Sequence, residues 1–166
     1  MYSDQAPRAA SSREALVRTG FRLLAVLATL ASPAVAGPEE DAMQVVQKWA
    51  AAFNASDVDA IVALYSPDAV FLGTGSRTVV LDAKGIRDYF ERALLTDRPR
   101  GARLLSHAAR VLDDGAVVIT GLDETTATRD GKTISSPGRV TFIVAKRGAE
   151  WKIVHFHRSG VPGRPN

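Results

Sequence analysis

The residues best suited to do chemistry lie near the end of the chain, in Trp151-Lys152-Ile153-Val154-His155-Phe156-His157-Arg158-Ser159-Gly160. Alternation along a regular strand puts Val154, Phe156 and Arg158 on one face, and Ile153, His155 and His157 on the other. An arginine sharing a face with Val154 and Phe156 needs an anionic partner if that face is buried. A ligand carboxylate held by the guanidinium fork would serve. An internal salt bridge, or a place on a rim, would serve equally. Arg139 opens the preceding antiparallel strand and is a second arginine able to converge there. His155 and His157, two apart on one face, have metal-ligand spacing, with His107 as a third donor. No acid stands beside them in sequence, so packed histidines are the preferred reading, and neither a metal nor a cofactor is expected.

General acid–base chemistry would fall to His107, Asp123 or Glu124. Asp123 and Glu124 sit mid-strand, where acids more often face solvent. Trp49, Tyr65 and Tyr89 recur on apolar faces and, with Phe156, are the candidates to wall a site for a small apolar ligand or organic acid. The chain has no Ser-His-Asp spacing and no phosphate loop, and Gly73-Thr74-Gly75 stands without the rest of a dinucleotide fingerprint. There is no cysteine, which excludes disulfides, thiolate metal sites and a thiol nucleophile.

These residues must be positioned by regular elements. Pro38 and the acids Glu39, Glu40 and Asp41 suit the start of a helix whose apolar face is Met43, Val46, Trp49, Ala50 and Phe53. Asn54 to Asp57 breaks it, with Ser56 and Asp59 spaced as a capping box. The pattern predicts a second helix over 58–65 ended by Pro67-Asp68, a short strand over 69–72, and a third helix over 83–95 capped by Asp82. Residues 96–101, with Pro99 and Gly101, read as a connector. Strands follow over 104–112, 116–128, 139–146 and 151–159, and Asp130-Gly131 makes a hairpin turn. Helices first and an antiparallel meander after them is an α+β order.

Of the 166 residues, the first 36 read as an export signal. Arg18 and Arg22 precede an apolar run, Leu23 to Ala31, that is short against the roughly 20 residues of a membrane span. Pro33 and Ala34-Val35-Ala36 then form a cleavage site before Gly37. A translation start at Val17 would shorten the leader, and an uncleaved anchor is the alternative to cleavage. The domain is then 37–162, followed by a polar tail over 163–166, in a periplasmic or secreted protein without stable membrane insertion. The formal charge of +3 belongs partly to the leader. Without it, 17 Lys and Arg face 16 acids, too even a balance for a nucleic-acid partner.

Two stretches carry a resemblance. Ala52-Phe53-Asn54-Ala55-Ser56-Asp57-Val58-Asp59-Ala60-Ile61, with Tyr65-Ser66-Pro67-Asp68-Ala69, resembles the opening of ketosteroid isomerase, SnoaL-like cyclases and the DUF4440 group. Trp151 to Gly160 is similar to the end of the CaMKII association (hub) domain. Both belong to the NTF2-like superfamily, which implies a sheet curled around three helices to make a conical pocket. The resemblance implies a small-carboxylate site with Arg158 in it, and dimers through the outer sheet face that can close into rings. The alternative it implies is an isomerase, cyclase or dehydratase, or an SgcJ/EcaC-type oxidoreductase. The strand that carries the isomerase base corresponds here to Phe71-Leu72-Gly73-Thr74, which has no carboxylate.

Overall fold

The computed structural model describes residues 37–163; the leader expectations and residues 164–166 lie outside them. Helix α1 spans Pro38–Ala55, with Pro38 in its first turn and three acids against its N-terminal dipole. Ser56 ends it in the left-handed region at φ 53°. The predicted capping box does not form: Asp57 caps α2 (Val58–Val62) by accepting from the Ala60 N–H at 2.9 Å. Helix α3 (Ala83–Leu94) starts as expected, the Asp82 carboxylate accepting from the Gly85 N–H at 2.7 Å. No described helix is long and apolar enough to cross a membrane.

Five strands form one sheet: β1 (Tyr65–Leu72), β2 (Arg100–Asp113), β3 (Ala116–Arg129), β4 (Lys132–Arg147) and β5 (Glu150–Gly160). Their order is β1-β5-β4-β3-β2, with β1 parallel to β5 and the other pairs antiparallel. Asp130 at φ 50° and Gly131 at φ 72° make the β3–β4 turn, the left-handed pair that such a hairpin needs.

The strands are longer than the sequence pattern suggested. Strand β1 begins at Tyr65, so Tyr65 leads a strand and does not close a helix. Strand β2 begins at Arg100, inside the expected connector, where it pairs with Ala127 of β3. Strand β4 runs through Pro137 because β5 stops opposite Gly138, leaving that end of β4 without a ladder partner on the β5 side.

One face of the sheet packs on the helices. Val45, Trp49 and Phe53 of α1 and Ile86, Phe90 and Leu94 of α3 meet Val117, Ile119, Val140, Phe142, Ile153 and Phe156. Each fully buried side chain of this size contributes about 1.5–3 kcal/mol of burial. Strand β5 is not regular: Ile143 pairs with His155 but Val144 pairs with Ile153, so Val154 is an extra, bulged residue. The bulge changes the expected faces. Ile153, not Val154, joins Phe156 and Arg158 on the buried side.

Candidate functional site

The inner face of the sheet and helices α1 and α3 enclose a cavity of about 240 Å³. Trp49, Phe53, Phe90 and Phe156 supply its apolar walls, and Thr74, Tyr89, Arg100, Thr125, Ser136 and Arg158 its polar ones. The aromatics pack on one another: Trp49 stacks on Phe156 with centroids 5.4 Å apart. Trp49 Nε1 donates to the buried Tyr65 hydroxyl at 2.9 Å. Burial raises the Tyr65 pKa well above the usual phenol range, so the group stays neutral. Tyr65 supports the wall from behind and is not among the cavity's lining residues.

Arg158 is buried at 8% exposure and meets an internal acid. Its Nε donates to Asp123 Oδ2 at 2.7 Å, and Asp123 is itself 4% exposed. Arg158 Nη1 donates to the Thr74 hydroxyl at 3.0 Å, and Nη2 to the Ser136 carbonyl at 2.7 Å. Thr74 in turn donates to the Arg158 carbonyl at 3.2 Å. The guanidinium thus ties the loop after β1 to strands β3 and β4. Removing one partner of such a buried pair costs about 3–5 kcal/mol, because the other charge is left uncompensated. Gly138 of β4 makes room for the pair: a Cβ there would overlap Asp123 Oδ1 and the Arg158 guanidinium.

Asp123 is therefore not a solvent-facing acid. Its position on β3 puts it on the buried side with Val117, Ile119 and Thr125, while Glu124 points outward to Arg103 and Ser135. Asp123 Oδ1 is buried without a hydrogen-bond partner among the described residues. Asp123 also lines a second, water-sized cavity of about 20 Å³, together with Trp49 and Phe142.

Tyr89 of α3 presents its ring to the cavity, packed on Phe71 with centroids 4.7 Å apart. A Cβ at Gly73 would overlap that ring, so the glycine admits it. Burial raises the Tyr89 pKa, and the Gly75 backbone amide and the charges of Arg158, Arg100 and Arg92 oppose the rise. At neutral pH the phenol is a hydrogen-bond donor.

Arg139 does not converge with Arg158. It pairs with Ser159 one residue along, where the pleat turns it outward, and its Nη2 donates to Ser159 Oγ at 3.1 Å. His155 and His157 lie on the outer face beside Ile143 and Thr141. Burial, then the neighbouring charge of His157, lowers the His155 pKa. His107 is exposed on β2, with β3 and β4 between it and β5, so it joins neither a histidine site nor the cavity. Among the described residues no three acids or histidines gather in a metal-binding group.

Arg100, Thr74 and Ser136 were not legible as site residues. Arg100 reaches the cavity because the strand pairing continues four residues before Leu104. The start of β2 is pinned by Asn54 of α1, whose Oδ1 accepts from the Ala102 N–H at 2.6 Å. The signal available in the sequence was the length of the facing strand: β3 runs to Arg129, and a partner of equal length must begin near residue 100.

A family model described as a SnoaL-like domain matches residues 42–163. No curated protein matches the chain. Among solved structures, a Xanthomonas campestris protein provisionally named a calcium/calmodulin-dependent protein kinase II association domain is 29% identical, with a TM-score of 0.69 over 77% of this chain and 94% of that one. An NTF2-like superfamily protein from Salmonella enterica is 22% identical, with a TM-score of 0.69 and the same two coverages. A Novosphingobium aromaticivorans protein provisionally named a scytalone dehydratase shares the fold at 8% identity, with a TM-score of 0.66 over 74% of this chain and 83% of that one. The α+β architecture, the helix-walled cavity on the sheet's inner face and a match across nearly all the described residues lead to one conclusion: the chain belongs to the SnoaL-like family and has the NTF2-like fold.

Proposed function

We propose that this protein is an exported, self-associating module whose cavity binds a small organic acid. The observation that carries the reading is the cavity itself: aromatic walls, with the guanidinium groups of Arg158 and Arg100 and the neutral Tyr89 phenol at its polar end. Such a site suits an apolar body ending in a carboxylate. The similarity to a protein provisionally named an association domain supports the assembly. Self-association is assigned to the outer sheet face, and export rests on Arg18, Arg22, Leu23 to Ala31 and Ala34-Val35-Ala36.

A catalytic reading would need a base in the cavity. None of its lining residues is Asp, Glu or His, and Asp123 behind it is committed to Arg158. The arrangement therefore favours binding over general acid–base catalysis.

Native mass spectrometry of the protein secreted by its own host tests the whole reading. The expected spectrum shows a subunit beginning at Gly37, a dimer or larger ring, and a retained small acid released on activation. A species that remains empty after incubation with millimolar carboxylates would overturn the ligand assignment. A monomer would overturn the self-association, and an intact leader the cleavage.

A further inference from the structure

Two arginines line the cavity, and their circumstances differ. Arg158 is saturated in kind: each of its three nitrogens already donates, to a carboxylate, a hydroxyl and a carbonyl. Its charge is balanced by Asp123 at 2.7 Å. An anion approaching it would compete with partners that the fold has already placed.

Arg100 is the opposite case. Its Nε is buried and has no hydrogen-bond partner among the described residues. It makes no ion pair among them either. Asp97 feels its charge, but that carboxylate is held by Arg129 at 2.6 Å. The position of Arg100 is nevertheless fixed, by its register opposite Ala127 and by the Asn54–Ala102 bond two residues on. Arg100 and the Tyr89 phenol both line the cavity. With Arg158 and Asp123 cancelling, the cavity carries one unmatched positive charge, and a buried N–H donor without an acceptor is costly.

We propose that Arg100, rather than Arg158, takes the anionic group of the ligand, that Tyr89 donates a second hydrogen bond to it, and that Arg158 is a positioning residue holding the cavity wall. This deepens the binding reading above and rests on it. The ligand class follows from the count: a monoanion with one carboxylate, whose ring or branched chain lies against Trp49, Phe53, Phe90 and Phe156. A second carboxylate would meet only the pair that Asp123 already neutralises.

Isothermal titration of the purified protein with benzoate, hexanoate and the uncharged benzamide tests the assignment. Wild type is expected to bind benzoate at least about tenfold more tightly than benzamide, the usual scale of a charge-assisted bond. Arg100→Gln should erase that preference, benzoate losing far more affinity than benzamide. Arg100→Lys, which keeps the charge but loses the fork, should retain part of it. Because the Arg100 side chain holds nothing in the fold, both variants should melt within about 2 °C of wild type. If Arg100→Gln keeps the preference for benzoate, the anion sits elsewhere: the inference falls while the binding reading stands. If wild type binds neither carboxylate, both fall together.

Discussion

Gly138 is where the site is most sensitive to a single atom. The methyl of Gly138→Ala would enter the space of Asp123 Oδ1 and the Arg158 guanidinium; Thr74 and Ser136 hold the guanidinium, and the guanidinium holds Asp123 through Oδ2. Neither can swing away like the free end of a surface side chain. Overpacking of this kind costs about 1–3 kcal/mol, so chemical denaturation should show a loss in that range. A variant as stable as wild type would mean that the pair relaxes freely. At this scale Arg158 was legible as a buried arginine in need of an anion, because alternation with Phe156 set its face. That the anion is Asp123 was not legible, because 35 residues separate the two and only the β3–β4–β5 pairing brings them together.

Helix α3 shows what the elements contribute. It delivers Tyr89 and Phe90 to the cavity, and its first turn is anchored by Asp82. Asp82→Ala should cost about 1 kcal/mol, while Asp82→Asn, which can still accept, should cost less. Urea unfolding would read this as a lower midpoint at unchanged slope. An unchanged midpoint for Asp82→Ala would show that packing alone sets the helix start. The helices were legible because caps and apolar spacing are local. The strands were legible in number but not in length. Gly101, Pro137 and Gly138 look like loop residues, yet ladder pairing with neighbours extends through them. The bulge at Val154 was equally hidden, since nothing beside it in sequence reports a register shift against β4.

At the scale of the whole molecule, the outer sheet face is a broad surface open to a partner. Across all five strands one row reads Leu72, His157, Thr141, Thr120 and Ala108, without a carboxylate or an ammonium. The Thr120 and Thr141 hydroxyls bond to each other at 2.6 Å, so they make few demands on solvent. Val118, Ile143 and the half-exposed Leu122 flank the row. Such a face suits a second copy of the chain. Leu122→Glu should convert the proposed dimer into a monomer in light scattering after size exclusion, with the circular dichroism spectrum unchanged. A wild-type monomer, or a dimer indifferent to the charge, would remove the assignment of this face.

The sequence by itself determined what depends on neighbours along the chain. Helix starts follow from Asp82 and Pro38, the hairpin from Asp130-Gly131, the α+β order from the succession of patterns, and the family from two short motifs. Only the tertiary structure decided what depends on residues far apart meeting. It paired Arg158 with Asp123, turned Arg139 outward, and brought Arg100 from an apparent connector into the cavity. The reason is physical: burial and charge pairing act across space, and a single β-bulge or four more residues of ladder changes which side chains face each other without altering any local pattern.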